Sequence, residues 1–273
     1  MEPMASEALN LTVADLERRF GVVAKQPAVC PEHGEYAAVI TRHRSTPSGC
    51  PKCAEIRQAE QDRADSAALA AKAATERLER KMGAALIPKR FRERDFAGYR
   101  AVSAGQQRAL TVCREYAESF DENLAAGRCL LLLGKPGTGK THLAVAIAGH
   151  VMRQNGATAV YRTVAGLLQY VKGSYDRDSE YSEADAFRSL VEPDLLILDE
   201  IGATKPTEFE QATVFAVINA RYEEQLPTIV VSNLGPKELP GALGERCVDR
   251  LREGGGIALV FDWESARAEV RHG

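Results

Sequence analysis

Short apolar runs, separated by longer amphipathic stretches, occupy the C-terminal two-thirds of the chain. The stretch after the first run places apolar residues from Leu143 to Val151 on one helical face. Apolar strands of this length between helices are typical of parallel strands buried on both faces. The pattern therefore predicts an α/β architecture built on a parallel sheet. Its strands are predicted at CLLLLG (129–134), TAVYRTV (158–164), DLLILDE (194–200), TIVVSN (228–233) and GIALVF (256–261).

The N-terminal part of the chain follows a different pattern. Apolar residues up to Phe20 predict a short amphipathic helix, begun by a capping box of Thr12 and Asp15. Residues 54–82 contain no Gly or Pro and are rich in Ala and charged residues, which favours one long helix. Its large apolar residues are too few for a buried helix. It is therefore either a solvated spacer or an arm that docks on a partner.

Residues 83–100 join this helix to the α/β region. The segment carries several basic side chains and contains Pro88. Proline interrupts a helix because it lacks the backbone N–H and clashes with the preceding turn. The pattern predicts a basic linker. It is either a solvated connection or a segment that contacts nucleotide or DNA backbone.

The charge balance and the cysteine content narrow the class of protein. The chain has 35 Lys and Arg against 38 Asp and Glu, a net charge of −3, so any nucleic-acid binding must come from a local patch. Six Cys in 273 residues are too few for a disulfide scaffold. No apolar run approaches the roughly 18 residues of a membrane span, and the N-terminus lacks a signal-peptide pattern. We therefore predict a cytoplasmic protein with no membrane association.

A phosphate-binding motif gives the clearest chemistry. The sequence GKPGTGKT fills every fixed position of the G-x-x-x-x-G-K-[ST] pattern, between a predicted strand and a predicted helix. Backbone N–H groups and the helix N-terminus would bind phosphate oxygens, Lys140 the terminal phosphates, and the Thr141 hydroxyl Mg²⁺. We predict a site for ATP and Mg²⁺ formed by Gly134, Lys135, Pro136, Gly137, Thr138, Gly139, Lys140, Thr141 and His142.

Polar residues end two other predicted strands. Asp199 and Glu200 close the run LLILDE, where buried carboxylates need a cation or a polar ligand. We predict that Asp199 holds Mg²⁺ and that Glu200 polarises the attacking water, although such a string taken alone is often an ordinary strand end. Asn233 closes TIVVSN and is either a turn residue or a polar probe of the γ-phosphate, and we favour the probe.

Four stretches give residues 96–267 a resemblance to AAA+ ATPases of the DnaC-type helicase-loader group, which is related to the IstB transposition ATPases. The fourth stretch is the most specific, because the first and third occur across P-loop ATPases. They are GKPGTGKTHLA (134–144), TVAGLLQYVK (163–172), LLILDEIG (195–202) and LGERCVDRLREGGGIALVFDWESAR (243–267).

The resemblance implies roles for two arginines. Arg250 lies where the family carries the arginine finger, which reaches the γ-phosphate bound to a neighbouring subunit, and Arg246 is a rival for this role. Arg267 lies where the family carries the second sensor, which acts on the nucleotide of its own subunit. A guanidinium matches phosphate oxygens in charge and geometry. A surface salt bridge is the alternative for each arginine.

The resemblance also implies a helix that faces single-stranded DNA, at residues 163–179. Tyr170 and Tyr175 could stack on bases there, and Lys172 and Arg177 could meet phosphates. Acidic neighbours oppose this interpretation, and tyrosines are commonly ordinary packing residues. Both interpretations stay open.

A cluster of cysteine and histidine residues precedes the long helix. Cys30 and His33 form a C-x-x-H pair, and Cys50 and Cys53 form a C-x-x-C pair. Two such pairs flanked by turn-forming residues supply the four N and S ligands of a structural Zn²⁺ site, which would fold a module with little apolar content. The alternatives are unligated thiols and a site that uses His43. The other cysteines lack this spacing and are expected in the core: Cys113, Cys129 and Cys247.

Together these features predict a zinc-binding module (1–55), a long helix or linker (56–84) and an AAA+ ATPase domain (85–273). The resemblance implies an ATP-dependent loader that places a hexameric replicative helicase on single-stranded DNA. Its N-terminal region would bind the helicase and its AAA+ domains would self-associate. An IstB-type regulator of DNA transposition is one alternative. A zinc-dependent adaptor with a structural nucleotide site is another, and the intact Glu200 argues against it.

Overall fold

Two units divide the chain, Met1–Ala74 and Thr75–Gly273. The computed structural model describes residues 17–265. The predicted N-terminal cap at Thr12 and Asp15 lies outside the described residues, as does Arg267.

The first unit contains a β-hairpin and most of a long helix. Strands β1 (Val22–Cys30) and β2 (Gly34–Thr41) pair antiparallel, with Cys30 opposite Gly34. The segment after β2 folds back on it, because the backbone N–H of Ser48 donates to the Val39 carbonyl (2.8 Å) and the Ser48 hydroxyl accepts from the Val39 N–H (2.9 Å). These bonds bring Cys50 back towards the turn of the hairpin.

The long helix, α1, spans Pro51–Ala84 and is exposed along most of its length. The prediction of one helix without a buried face is confirmed for its first part. Its last turns belong to the second unit, where Met82 is buried and Leu78 is partly buried against the core. There the Lys81 ammonium donates to the Met152 carbonyl at 2.7 Å.

The second unit alternates helices and strands as the apolar pattern predicts. Ser103, Ser182 and Thr207 each begin a helix with a capping box, which satisfies backbone N–H groups of the first turn. The elements are α2 (Ala104–Glu118), α3 (Phe120–Ala125), β3 (Leu130–Gly134), α4 (Lys140–Gln154), β4 (Ala159–Thr163), α5 (Val164–Gly173), α6 (Glu183–Val191), β5 (Leu195–Ile201), α7 (Glu208–Glu223), β6 (Thr228–Ser232), α8 (Leu239–Leu243), α9 (Glu245–Arg252) and β7 (Ile257–Phe261).

The five strands of this unit form one parallel sheet in the order β4-β5-β6-β3-β7. The central strands β3, β5 and β6 are almost wholly buried, whereas the edge strands expose part of their side chains, such as Val260 on β7. Parallel strands end at the same edge of a sheet, so the segments after β3, β5 and β6 lie side by side. The prediction of an α/β fold with a parallel sheet is confirmed.

Helices cover both faces of the sheet and give it two core layers. One layer contains residues of α2 and α4, with Cys113 among them, and the other contains residues of α5 to α9, with Cys247. Cys129 is buried in the second layer. The expectation that these cysteines lie in the core is confirmed. Within residues 17–265 we find no helix with the combination of length and apolarity that crossing a bilayer requires.

The segment predicted as a basic linker packs on the second unit. Ala85, Ile87 and Tyr99 are buried, and the Ala85 carbonyl accepts from the N–H of Tyr161 on β4 at 2.8 Å. The basic side chains Lys89 and Arg90 are exposed. The alternative of a solvated connection is therefore wrong for this segment, because apolar side chains interleaved with the basic ones anchor it to the core.

Candidate nucleotide and metal sites

The P-loop joins β3 to α4 at the carboxyl edge of the sheet. Lys140 is buried at the start of α4, and its ammonium donates to the carbonyls of Gly134 (2.7 Å) and Lys135 (2.6 Å). Gly139 has a φ of +95°, and a Cβ at this position would overlap the ring of Tyr99. Glycine is therefore required here both by the backbone conformation and by the close approach of the ring.

The predicted magnesium ligands lie side by side. The Thr141 hydroxyl donates to Oδ2 of the buried Asp199 at 2.9 Å, and the Tyr161 hydroxyl donates to the same oxygen at 2.7 Å. Oδ1 of Asp199 accepts from the backbone N–H of Glu200 at 2.7 Å. Burial, and next the charge of Asp199, raise the pKa of Tyr161, so its hydroxyl keeps the proton that it donates. The hydroxyl and carboxylate oxygens are ligands that Mg²⁺ prefers.

Glu200 adopts an unusual backbone conformation beside this pair. Its φ is +60°, and the pairing of β5 with β6 shifts register between Leu198 and Ile201. Such a bulge re-aims a side chain, and a left-handed non-glycine residue costs about 1–3 kcal/mol. Glu200 is exposed and lines a cavity of about 130 Å³ with Val164 and Gln211. Asp199 therefore turns inward towards Thr141 while Glu200 is open to solvent.

Asn233 lies between the P-loop and the acidic pair. It follows β6, whose last residue, Ser232, is in register with Leu133 on one side and Ile201 on the other. The next residue, Leu234, accepts through its carbonyl from the N–H of Gly134 at 3.0 Å. Asn233 itself is exposed.

Two aromatic residues that were not predicted from the sequence contact the P-loop. The Tyr99 hydroxyl and the Trp263 indole N–H both donate to the Thr138 carbonyl, at 3.2 and 3.1 Å. An ion pair of 3.2 Å joins Lys135 to Glu264. Tyr99 precedes α2 and Trp263 follows β7, so no local pattern in the sequence connects either residue with the loop.

His142, in the first turn of α4, faces the segment before α2. Its Nε2 lies 2.7 Å from the Asp95 carbonyl oxygen, and its ring meets the Tyr99 ring edge-on with 5.4 Å between centroids. Burial lowers the pKa of His142, which favours the neutral imidazole. The residue thus supports the segment that borders the P-loop.

The two candidate fingers lie on α9, away from the P-loop of their own chain. The guanidinium carbon of Arg250 is 5.1 Å from the centroid of the Phe215 ring and 5.2 Å from that of Tyr222, whereas Arg246 is exposed. The buried Nε of Arg250 has no hydrogen-bond partner within residues 17–265. Arg250 borders a cavity of about 310 Å³ that reaches Cys129, next to the start of β3, and the P-loop follows the other end of β3.

Tyr170 is part of an aromatic stack on the surface of α5. Its ring lies 4.6 Å from the Tyr181 ring at an interplanar angle of 21°, and the guanidinium carbon of Arg162 is 4.7 Å from its centroid. These residues and Lys172 line an open cleft of about 720 Å³.

The other candidate DNA contacts, Lys172, Tyr175 and Arg177, are exposed. The Lys172 ammonium lies 5.2 Å from the centroid of the Phe209 ring, and the Tyr175 hydroxyl donates to Glu183 at 2.7 Å. Tyr175 is followed by the exposed residues 176–178, which include the basic Arg177. The structure therefore places Tyr170 in a packed stack and leaves Lys172 and Tyr175 at the surface.

The predicted metal ligands converge in the first unit. Cys30 ends β1, His33 lies in the hairpin turn, Cys50 precedes α1 and Cys53 lies in its first turn, and their ligand atoms all lie within 4.8 Å of one another. The Cys30 and Cys53 sulfurs are 3.6 Å apart, and His33 Nδ1 is 3.2 Å from Cys53. Tetrahedral Zn²⁺ separates such ligands by about 3.5–3.8 Å. The alternative ligand His43 is exposed in the segment after β2.

The electrostatics of this group favour a bound cation. Hydrogen bonds from the Glu32 backbone and then from His33 lower the pKa of Cys30 to about 6. The hydrogen bond with Cys30 and burial raise the pKa of Cys53 to about 11. Adjacent thiolates repel one another, and a bound cation would relieve this repulsion between Cys30 and Cys53. Three thiolates and one imidazole form the donor set of a structural zinc site.

The fold and the site define the class. A P-loop between a central parallel strand and a helix, with a Thr–Asp pair beside it, is the site of a P-loop nucleotide-binding protein. The family model described as "IstB-like ATP binding protein" matches residues 67–248, and the chain belongs to this family of DnaC- and IstB-like AAA+ proteins.

Named relatives include helicase loaders. The chain is 33% identical over 212 residues to the "Replicative helicase loader DnaC" of Buchnera aphidicola subsp. Acyrthosiphon pisum, which covers 78% of this chain and 85% of the loader. The DnaC loader of Escherichia coli strain K12 is 33% identical over 213 residues with the same coverage. The chain is also 34% identical over 194 residues to the "Uncharacterized protein YdaV" of the same strain, at 71% of this chain and 76% of that protein.

Solved structures share the fold. The "Crystal structure of the DnaC helicase loader" superposes with a TM-score of 0.58 at 24% identity, over 64% of this chain and 100% of that chain. "Replication initiator DnaA bound to AMPPCP and single-stranded DNA" has a TM-score of 0.53 at 22% identity, over 63% of this chain and 50% of that chain. Similarity at this level shows the fold alone.

Proposed function

We propose that this protein is an ATP-dependent loader of a hexameric replicative helicase onto single-stranded DNA. The observation that carries the proposal is the 33% identity to named DnaC loaders over 85% of their length. A loader that couples nucleotide occupancy to assembly needs a site that binds ATP, and hydrolysis of that ATP would reset the complex. The residues at the carboxyl edge of the sheet fit that requirement.

In this proposal the P-loop binds the phosphates of ATP through its backbone N–H groups and Lys140. Thr141 and Asp199 hold Mg²⁺, which neutralises charge on the transferred phosphoryl group when bound. Glu200 polarises the attacking water, and Asn233 contacts the water or the γ-phosphate from the neighbouring strand. The contact between Thr141 and Asp199 at 2.9 Å supports the magnesium assignment.

Hydrolysis would depend on self-association of the AAA+ domain. Arg250 borders the edge of the sheet opposite the P-loop of its own chain, so it can complete a nucleotide site only on a neighbouring copy. Its unpartnered Nε supports this role, because a buried polar group without a partner is costly. Arg267 would act as the second sensor on the nucleotide of its own chain.

Two other regions of the chain would contact the helicase and the single-stranded DNA. The N-terminal region would bind the helicase, with Zn²⁺ on Cys30, His33, Cys50 and Cys53 joining the hairpin to α1. Single-stranded DNA would follow the surface of α5 past Tyr170, Lys172 and Tyr175. The aromatic and cationic side chains around the 720 Å³ cleft support this path, since base stacking and phosphate pairing are the usual means of binding single strands.

A loading experiment tests the function. The wild-type chain is mixed with the replicative helicase of its host, ATP and circular single-stranded DNA, and DNA-bound helicase hexamers are counted. We expect loading by the wild type and none by Lys140→Ala, which should lose nucleotide binding. Glu200→Gln should bind ATP but hydrolyse it about 100-fold more slowly. Wild-type nucleotide affinity in Lys140→Ala would contradict the site.

The IstB-like family model favours a second candidate function, regulation of DNA transposition. A pull-down from the native host with full-length protein distinguishes the two functions. A recovered helicase supports the loader, whereas a recovered transposase supports the second candidate. A zinc-dependent adaptor with a structural nucleotide site would show no ATPase activity above Lys140→Ala, even with partner and DNA present.

The zinc proposal has its own test. Elemental analysis should find about one zinc per chain, and a double variant with Cys50→Ser and Cys53→Ser should contain none. Metal removal by a chelator should unfold the first unit, because its hairpin buries little apolar surface. Nucleotide binding by the second unit should persist. Protein that contains no metal and keeps the hairpin folded in chelator would refute the proposal.

A further inference from the structure

We propose that Tyr99 and Trp263 are positioning residues of the nucleotide site, which set the orientation of one P-loop peptide by hydrogen bonding to the Thr138 carbonyl. Neither residue was predicted from the sequence, and no property of the phosphate-binding motif requires them. The inference rests on the proposed nucleotide site and adds to it a support that lies outside the motif.

The two donors reach Thr138 from opposite ends of the ATPase unit. The Tyr99 hydroxyl comes from the segment before α2 and the Trp263 indole N–H from the segment after β7, at 3.2 and 3.1 Å. Tyr99 is buried, and burial raises its pKa, so its hydroxyl remains a donor. The Trp263 ring lies 4.7 Å from the Phe261 ring and packs close to Gly105 in the first turn of α2. Both side chains are therefore held in place by neighbouring elements.

The geometry of the peptide bond turns this contact into a constraint on the phosphate site. The peptide that joins Thr138 to Gly139 is trans and planar, so its C=O and N–H point in opposite directions. Donors that hold the Thr138 carbonyl on the outer side of the loop direct the Gly139 N–H to the inner side, where phosphate oxygens bind. A peptide that is already oriented loses less conformational freedom when the nucleotide binds.

The loop needs such support because its bonds to distant segments hold only its start: the Gly134 N–H donates to the Leu234 carbonyl at 3.0 Å, and the Lys135 N–H donates to the Phe261 carbonyl at 2.9 Å. The Thr138 hydroxyl donates to the Lys135 carbonyl at 2.8 Å, which closes the loop on itself without fixing the peptide that follows. Gly139 has no Cβ, so rotation of this peptide meets little steric resistance. One carbonyl oxygen has two lone pairs and can accept both donors at once. Either donor alone should therefore preserve part of the orientation.

Conservative variants test the inference. Tyr99→Phe removes only a hydroxyl, and Trp263→Phe keeps an aromatic ring without the N–H. We expect each variant to raise the Kd for ADP and for ATP about threefold, and the double variant to raise both by more than about tenfold. Calorimetric titration measures all three. The effect should be the same for ADP and ATP, because the glycine-rich loop contacts the phosphates that both nucleotides share.

Tyr116→Phe is the matched control. The Tyr116 hydroxyl is also buried and donates to a backbone carbonyl, that of Arg128, at 2.7 Å, but Arg128 precedes β3 whereas the P-loop follows the other end of that strand. Its loss should lower the melting temperature and leave the nucleotide Kd within about twofold of the wild type. If the Kd rises in Tyr99→Phe and Trp263→Phe only because these variants are less stable, it should rise in Tyr116→Phe as well.

Trp263 also supplies a spectroscopic signature. It is the only tryptophan of the chain, so intrinsic emission reports on the indole that touches the P-loop. Addition of ADP should shift the emission of the wild type and of Tyr116→Phe, and should leave that of Lys140→Ala unchanged. An unshifted emission in wild-type protein that binds ADP by calorimetry would overturn the inference.

The two proposals fail in different ways. If the wild type binds no nucleotide, the nucleotide site itself is refuted. If the wild type binds nucleotide, Lys140→Ala does not, and the double variant binds within about twofold of the wild type, the positioning role alone is refuted. An increase in Kd in Tyr116→Phe as large as that of the double variant would refute it too.

Discussion

At the scale of single residues, Arg221 is a buried charged side chain in the second unit that needs hydrogen bonds to be stable there. It is fully buried on α7, and burial lowers its pKa to about 10, so it stays charged at neutral pH. A buried charge is costly unless hydrogen bonds compensate for lost hydration. Its guanidinium donates to the Thr228 hydroxyl and to the backbone carbonyls of Leu190, Val191, Pro193, Asp194 and Pro227.

Replacement of Arg221 by Met should therefore destabilise the protein strongly. The apolar side chain fills much of the space, but the carbonyls that accept from the guanidinium lose that donor. We expect a loss of about 3 kcal/mol or more in the free energy of unfolding, because each buried unsatisfied group costs about 1–3 kcal/mol. Urea unfolding followed by circular dichroism measures the change.

Arg188→Met is the control for this prediction. Arg188 is exposed on α6 and pairs with Asp185 at 2.9 Å and Glu192 at 3.6 Å. Exposed pairs contribute little, so its loss should cost less than about 1 kcal/mol. Similar losses in the two variants would show that the carbonyl contacts of Arg221 do not stabilise the fold.

At the scale of elements, α1 changes character along its length. Its first part is exposed in the first unit, and its last turns contribute Met82 and Leu78 to the core of the second. The boundary between the two units falls inside the helix, after Ala74. The functional domain proposed from the sequence begins at residue 85, after these contacts.

Two fragments of the chain test how much the last turns of α1 stabilise the second unit. The fragment 75–273 should fold and bind ATP with the Kd of the full chain, because it contains the whole second unit. The fragment 85–273 lacks Met82 and the contact of Lys81 with the Met152 carbonyl. We expect it to be less stable by about 3 kcal/mol, the usual cost of removing a large buried apolar side chain. Thermal unfolding compares the fragments, and equal stability would contradict the prediction.

At the scale of the whole molecule, hydrolysis should depend on how many copies of the chain meet. Arg250 packs against Phe215 and Tyr222 and borders a cavity at the end of β3 opposite the P-loop of its own chain. If this guanidinium contacts the γ-phosphate bound to a neighbouring copy, the ATPase rate per chain should rise with protein concentration. The rate of a site that is complete in one chain would not change.

Arg250→Ala and Arg246→Ala form a matched pair on α9. We expect Arg250→Ala to keep the wild-type Kd for ATP and to lose stimulated turnover by about 1,000-fold, the magnitude typical of a finger supplied in trans. Arg246→Ala should keep most of that turnover. Steady-state phosphate release with DNA and partner present measures both. The opposite result would assign the finger to Arg246.

Much of the candidate site could be predicted from local patterns, because each pattern is complete within a few residues. The P-loop needs only glycines, a lysine and a hydroxyl at set spacing, and the structure shows it between β3 and α4. The two Cys/His pairs carry their ligand spacing in the sequence, and the structure brings all four ligand atoms within 4.8 Å. Apolar runs report burial, and all five predicted strands were found.

What the sequence by itself determined was therefore the alternation of strands and helices in the second unit and the chemistry at the ends of the strands, whereas the hairpin of β1 and β2 was not predicted. Only the tertiary structure decided which of these residues are in contact. Because β4 lies next to β5 in the sheet, the Tyr161 hydroxyl donates a hydrogen bond to Asp199. The tertiary structure likewise brought Tyr99 and Trp263 to one carbonyl and buried Arg221 among carbonyls from several segments. The physical reason is that such contacts join residues distant along the chain, and periodicity reports that a side chain is buried without naming its partner.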